Sequence, residues 1–183
     1  MPTSWERDVG CVLCETPERA VFFDPLAPEH DAAFWSWADD RCRGREVVVL
    51  ETIAYHRRSR DEFLARYSVS AGAPQPDGPL RGPYPPQWGV EPYPVAAADE
   101  TLFWIPQHRA LVAGDLLLGT GDGRLSLCPQ SWLEDTSGKP TRGELRTALG
   151  VLLDLDIELV LVSHGEPALA DARTALARAL DEP

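Results

Sequence analysis

The chain has 183 residues, of which 44% are hydrophobic and 25% are charged, so it is long enough for one well-buried domain and short for two. Its net charge of −12 repels phosphate backbones and anionic lipid. The composition therefore argues against nucleic-acid and membrane partners and favours small molecules or proteins as partners.

Chain length and the distribution of apolar residues indicate how the chain is organised. We expect a single domain over residues 1–183. No apolar run is long enough to span a bilayer, and residues 1–10 (MPTSWERDVG) lack the apolar centre of a signal peptide. We therefore expect a cytoplasmic protein. The sequence does not define an oligomeric state.

The first third of the chain alternates apolar runs with turn residues. Two strands, a helix, a third strand and a second helix are predicted in this order: residues 9–15, 20–23, 31–39, 46–50 and 59–67. The second helix is predicted because Ser59 and Glu62 have the spacing of a capping box. Early strands that alternate with helices indicate a mixed α/β arrangement.

A Pro-rich segment follows, residues 71–94, which holds eight of the 17 prolines. Proline removes a backbone donor, so this segment cannot be a regular helix or a central strand. We predict an ordered loop, because Tyr84, Trp88 and Tyr93 can pack back onto the domain. The alternatives are a poorly ordered connection, a lid over a site and a docking segment for a Pro-binding module.

The remaining half repeats the mixture of strands and helices. Strands are predicted over residues 101–105, 110–114 and 158–163, and helices over residues 141–154 and 168–180. The first of these helices is predicted from a second capping-box pattern, Thr141 with Glu144. Strands flanked by helices, with one early and one late hairpin, predict a layered α/β domain.

Three loops that follow buried strands carry residues able to do chemistry. His56 follows the run VVVL, Asp115 follows ALVA, and His164 follows ELVLV. Functional groups in α/β folds gather at strand ends. We therefore expect these three side chains to converge in one pocket.

The order of these motifs resembles the metallo-β-lactamase superfamily. FFDPL is similar to the strand end that the family writes as IDTG, LVAGDLLLG to its Gly-Asp motif, and LVSHGEP to its final histidine motif. The resemblance covers most of the chain and implies a four-layer αββα sandwich. It also implies that Asp115 matches the family's bridging aspartate and His164 its last histidine ligand.

The family's His-x-His-x-Asp-His loop is largely missing. Counted from Thr52, its ligand positions fall on Ile53, Tyr55, Arg57 and Arg58. A shift of one residue brings only His56 into register, and residues 91–98 contain no counterpart of a further family histidine. At most three of the seven usual side-chain ligands are kept, so we predict at most one metal ion.

Arg57 and Arg58 stand where a ligand aspartate and histidine would stand in the family. A cation there raises the cost of binding a second metal ion, and we expect one of the two arginines to lie near Asp115. Together with His56, Asp115 and His164, the arginine pair predicts a ligand-binding pocket suited to a small anion.

Two functions fit this pattern. We predict a divergent protein without the usual dinuclear site, and without a metal cofactor, that binds a small ligand or is non-catalytic. The alternative is a hydrolase of a small ester or thioester, either metal-independent or with one zinc or iron ion on His56, Asp115 and His164. Asp115 and His164 are the candidate catalytic residues. Whether the protein is an enzyme stays open at this point.

Overall fold

A computed structural model describes residues 8–67 and 89–182. Within these ranges the strands are β1 (Val12–Glu15), β2 (Arg19–Phe23), β3 (Glu46–Leu50), β4 (Glu91–Val95), β5 (Glu100–Ile105), β6 (Ala110–Ala113), β7 (Leu117–Gly121), β8 (Arg124–Leu127) and β9 (Leu159–Val162). The α-helices are α1 (Ala32–Cys42), α2 (Arg60–Arg66), α3 (Gln130–Leu133), α4 (Arg142–Leu149) and α5 (Ala172–Asp181). A 3₁₀ turn, Ala54–Arg57, links β3 to α2.

Each of the two larger sheets contains one parallel pair of strands, and these pairs position the site. The first sheet has the order β1-β2-β3, in which β2 and β3 run parallel with Phe23 opposite Leu50. The second has the order β4-β5-β6-β9, in which β6 and β9 run parallel with Ala113 opposite Val162. Because parallel neighbours end at the same sheet edge, the loops that follow each pair lie side by side.

The strands alternate inward and outward side chains, which produces four layers. One face of the first sheet packs on α1 and α2 through Ala20, Phe22, Val47, Val49 and Phe63. The other face packs on the second sheet through Val21, Phe23, Val48, Phe103 and Val112. The far face of the second sheet packs on α4, α5 and the β7–β8 hairpin through Leu102, Leu111, Leu125, Leu145 and Leu176. This is the predicted αββα sandwich.

The Pro-rich segment predicted as a loop over residues 71–94 ends in a strand. Residues 71–88 lie outside the described residues, whereas Glu91–Val95 forms β4 at the edge of the second sheet. Pro92 and Pro94 are accommodated there, because an edge strand can leave one side of its backbone unpaired. The predicted loop therefore stops before β4.

The two capping-box patterns have different outcomes. The Thr141 pattern is confirmed, and α4 starts there, but the helix predicted to residue 154 changes to a 3₁₀ turn at Gly150–Asp154. At the other pattern α2 starts as predicted, yet the Ser59 hydroxyl does not cap it. That hydroxyl accepts a hydrogen bond from the amide of Ala27 instead. The side chain therefore ties α2 to the loop after β2.

The last helix starts later than predicted. Residues 168–180 were expected to be helical, whereas α5 begins at Ala172. The reason is a pair of backbone hydrogen bonds between Ala168 and Val160, which extends the sheet beyond β9. Among the described residues, no helix has the length and apolar character needed to cross a bilayer.

The contact between the two sheets generates a prediction about stability. Phe103 is fully buried, and its ring centroid lies 5.3 Å from that of Phe23 across the sheet interface. Replacing Phe103 with Ala leaves a cavity and should lower the free energy of unfolding by about 3–5 kcal/mol. The control is Val151→Ala, because Val151 is 54% exposed. Urea unfolding measures both variants, and equal losses would contradict the packing described here.

Candidate metal centre

Three side chains meet where the parallel strand pairs end. His56 lies in the 3₁₀ turn after β3, Asp115 follows β6, and His164 follows β9. Asp115 Oδ1 lies 3.1 Å from His56 Nε2 and 3.1 Å from His164 Nε2. All three potential ligand atoms lie within 4.8 Å of one another. The structure thus brings together the three residues that the sequence placed at strand ends.

A buried carboxylate, Asp24, holds the His56 side of this cluster. Asp24 follows β2 and is 1% exposed, and its Oδ2 lies 3.0 Å from His56 Nδ1. The same carboxylate accepts hydrogen bonds from the Thr52 amide at 2.8 Å and from the Thr52 hydroxyl at 2.6 Å. It also accepts one from the Ser163 hydroxyl at 3.1 Å. Asp24 therefore joins the loops after β2, β3 and β9.

The contact with Asp24 defines which His56 nitrogen carries a proton. An ionised carboxylate can only accept, so Nδ1 must donate to Asp24. In the neutral imidazole, Nε2 then presents its lone pair toward Asp115. Two lone pairs 3.1 Å apart repel unless a cation lies between them. A carboxylate that orients a histidine in this way is a common support for a metal ligand.

Asp115 Oδ1 is close to both imidazoles without being hydrogen-bonded to either. It is buried and has no partner with hydrogen-bond geometry among the described residues. The two 3.1 Å separations are near the edge length of about 3.3–3.4 Å between ligands of a tetrahedral zinc ion, whose bonds are about 2.0–2.1 Å long. The separations of these atoms are therefore compatible with a metal ion at their common centre.

The pKa values of His56 and Asp115 are shifted by their mutual contacts and by Asp24. Burial acts to lower the pKa of His56, but the carboxylates of Asp115 and Asp24 outweigh it and raise the pKa to about 9. Burial acts to raise the pKa of Asp115, but His164 and His56 outweigh it and hold that pKa well below its usual range. The site therefore favours a positive charge at this position.

A second buried carboxylate, Glu100, lies beneath the Asp115 turn. Its oxygens accept hydrogen bonds from the backbone amides of Gly114 at 3.0 Å, Asp115 at 2.8 Å and Leu116 at 3.0 Å. Burial raises the pKa of Glu100 to about 8, and the charge of Asp115 adds to this effect. Three backbone donors oppose the shift, because they stabilise the ionised form.

His164 is held by its own backbone and by a close approach of two chain segments. Its carbonyl accepts a hydrogen bond from the Gly119 amide, and its side chain is 12% exposed. Gly165 has φ +83°, and a Cβ there would lie 2.2 Å from the Gly119 carbonyl oxygen. Only glycine fits this turn. The Trp132 ring packs edge-on against the imidazole, with centroids 6.2 Å apart.

The structure separates the two arginines. Arg57 is exposed and pairs with Asp61, so it is not brought to the cluster. Arg58 is partly buried, and its guanidinium donates to the carbonyl oxygens of Gly10 at 2.7 Å and Asp24 at 3.3 Å. Burial lowers the pKa of Arg58, while the negative charges of Asp24 and Asp115 oppose this. Arg58 therefore belongs to the charged surroundings of the site, although it does not pair directly with the Asp115 carboxylate.

Two supporting residues, Asp24 and Glu100, were not among the predicted site residues. Both are acids at the boundary of a buried strand: Asp24 follows AVFF, and Glu100 precedes TLFWI. An acid beside a largely apolar buried strand is a recognisable signal, because a buried carboxylate needs partners. The hydrogen-bond partners of these two acids lie in loops distant in sequence, so no local sequence pattern predicts them.

The donor set fits a single zinc or iron ion. Two imidazole nitrogens and one carboxylate oxygen are ligands that both metals accept, with positions left for water or substrate. Within residues 8–67 and 89–182, this is the one cluster of three or more such side chains with converging ligand atoms. Asp115 is 25% exposed, so the cluster is accessible from one side.

The tight turn before Asp115 generates a prediction. A Cβ at Gly114 would lie 2.3 Å from Thr52 Oγ1 and 2.9 Å from Thr52 Cβ. Gly114→Ala should therefore lower the free energy of unfolding by about 1–3 kcal/mol. Gly150→Ala is the matched control, because a Cβ there meets nothing within 4 Å and should be neutral or stabilising. Urea unfolding of both variants checks this, and an equally stable Gly114→Ala protein would contradict the close contact.

Comparison with known proteins gives a result only at the level of structure. No protein-family model matches the chain, and no curated protein matches it significantly in sequence. The structure is similar to that of the DIM-1 metallo-β-lactamase exposed to ceftazidime, with a TM-score of 0.62 and 14% identity over 95% of this chain and 84% of that one. It is also similar to a di-iron-bound form of TTHA1623, with a TM-score of 0.59 and 18% identity over 95% and 94% of the two chains.

A third similar structure, VMB-1 at pH 5.5, has a TM-score of 0.52 and 13% identity, covering 94% of this chain and 83% of that one. The three similarities span almost the whole chain at low sequence identity, so they show the fold. The activity has to be argued from the residues of the site. The resemblance predicted from the sequence motifs is confirmed at this level: the chain has the metallo-β-lactamase fold.

Proposed function

We propose that this protein binds one divalent metal ion, zinc or iron, on His56, Asp115 and His164, and that it hydrolyses a small ester or thioester at this site. The observation that carries the proposal is the Asp115 Oδ1 atom. It lies 3.1 Å from the Nε2 atoms of both histidines and has no hydrogen-bond partner among the described residues. An ion at the common centre would compensate all three atoms at once.

The charge of the surroundings supports a cation at this position. Asp24 is buried and Asp115 is mostly buried, and together they raise the pKa of His56 to about 9. Without a metal ion, a proton on His56 supplies the compensating charge near neutral pH. A metal ion bound at Nε2 would take the place of that proton, because either cation offsets the buried acids.

The alternative nucleophiles near the site are occupied or inert. The Ser163 hydroxyl donates to Asp24, so it is part of the support of His56. Burial raises the pKa of the Cys128 thiol to about 12, which leaves it protonated near neutral pH. These contacts favour metal-assisted hydrolysis over a metal-independent mechanism with a covalent intermediate.

A divalent ion supplies Lewis-acid chemistry, because it polarises a carbonyl and makes water nucleophilic near neutral pH. The chain's own residues prepare the site. Asp24 holds the proton on His56 Nδ1 and thereby directs Nε2 toward the centre. Asp115 and His164 are partly exposed, which gives a substrate access from that side. Arg58 supplies a positive charge that can bind an anionic group of the substrate.

Binding of a small anion without turnover is the second candidate function. It is favoured by the backbone of Arg58, which has φ +38° and ψ −121°, a conformation that side-chain-bearing residues rarely adopt. Such local strain is typical of residues kept for a functional role. The two candidates share the metal ion and differ in whether the bound ligand is hydrolysed.

The first prediction concerns the metal. Protein stripped with a chelator and then titrated with Zn²⁺ should bind one equivalent. His164→Ala should lower the affinity by at least about 100-fold, because the loss of an outer support alone costs about 10–100-fold. His108→Ala is the control, because His108 is exposed in the turn between β5 and β6. Calorimetry and elemental analysis measure both. Two equivalents, or none, would overturn the proposal.

The second prediction concerns catalysis and compares the two arginines. The zinc-loaded protein should hydrolyse small esters or thioesters, and it should prefer those with a carboxylate. Arg58→Ala should raise KM for the anionic substrates by about tenfold, the value of one charge-assisted contact of about 1.4 kcal/mol. Arg57→Ala should leave KM unchanged, since Arg57 is exposed and paired with Asp61. A protein that binds zinc and the anion but gives no product would support the non-catalytic candidate instead.

A further inference from the structure

We infer that Glu100 is a positioning residue that directs the Asp115 carboxylate toward the metal ion by holding the backbone of the Asp115 turn. This inference rests on the proposed metal site and adds a residue that the ligand set does not include. Glu100 does not touch the centre itself. It acts through the amides of Gly114, Asp115 and Leu116.

The geometry of Glu100 is that of a carboxyl group held by the backbone of a turn. Its Oε1 accepts from the Gly114 amide at 3.0 Å, and its Oε2 accepts from the amides of Asp115 at 2.8 Å and Leu116 at 3.0 Å. Three consecutive backbone donors on one carboxylate determine the orientation of the peptide planes around Asp115.

The turn packs directly against the Glu100 carboxylate. A Cβ at Gly114 would lie 3.1 Å from the carboxylate carbon of Glu100, so the turn rests directly on this side chain. Glu100 also pairs by backbone with Ile53, and the Thr101 amide donates to the Thr52 carbonyl at 2.8 Å. Glu100 is thus fixed against the His56 loop on one side and holds the Asp115 turn on the other.

Only a carboxylate of this length serves all three donors. An amide in its place offers one oxygen, and its NH₂ group would face at least one backbone N–H. A buried donor left without an acceptor costs about 1–3 kcal/mol, so the turn would move to recover its hydrogen bonds. The side chain of Asp115 would then leave its place between His56 and His164.

The test compares Glu100→Gln with a matched acid-to-amide change, Glu51→Gln. Glu51 is also largely buried, but its carboxylate contacts Arg60 at 3.0 Å and does not contact the Asp115 turn in the described structure. Co²⁺ is the probe, since its absorption bands report the ligand geometry. Glu100→Gln should shift these bands and lower the Co²⁺ affinity by about 10–100-fold. Glu51→Gln should leave the bands in place and the affinity within about threefold.

A second measurement needs no metal. In the metal-free wild type, the amides of Gly114, Asp115 and Leu116 should exchange with solvent slowly by NMR, and in Glu100→Gln at least about tenfold faster. If Glu100→Gln does not fold, the amide exchange rates of the wild type test the inference. Amides of Gly114, Asp115 and Leu116 that exchange as fast as exposed amides would overturn it. If the wild-type protein binds no Co²⁺, the proposed function is overturned, and the proposed role of Glu100 in positioning a metal ligand is overturned as well. Wild type that binds Co²⁺ alongside an unchanged Glu100→Gln overturns this inference alone.

Discussion

The site depends first on the buried carboxylate of Asp24. It accepts from the amide and hydroxyl of Thr52, from the Ser163 hydroxyl and from His56 Nδ1, and so joins three loops that are distant in sequence. Each of these polar groups is buried, and without the carboxylate each would lose an acceptor. The parallel strand pairs bring the loops together, and Asp24 makes their contact specific.

Asp24 and Glu100 have corresponding roles on the two sides of the cluster. Asp24 fixes the orientation of one proposed ligand side chain, His56, whereas Glu100 contacts the backbone that carries another, Asp115. Asp24 follows β2 and Glu100 is the first residue of β5, and both have partners supplied by neighbouring loops. Asp24 both orients His56 and, together with Asp115, raises the pKa of His56 to about 9, so these acids favour a positive charge at the centre.

The layered fold could be predicted from the sequence, and so could the positions of His56, Asp115 and His164 at strand ends. Hydrophobic periodicity and loop position are local signals. The sequence placed Arg57 and Arg58 together, although the 3₁₀ turn directs only Arg58 toward the site. The late start of α5 could not be foreseen either. The backbone pairing of Ala168 depends on a free edge of β9, which is a property of the folded sheet.

A metal ion and a set of hydrogen bonds place different geometric requirements on His56, Asp115 and His164. Each 3.1 Å contact to Asp115 Oδ1 would need its own proton, one on His56 Nε2 and one on His164 Nε2. Neither contact meets the full geometry of a hydrogen bond, so neither proton would be well aligned with the oxygen. A metal ion has no such directional requirement toward each pair, because its ligands need only face a common centre. The single ion proposed for this site would therefore compensate all three candidate ligand atoms.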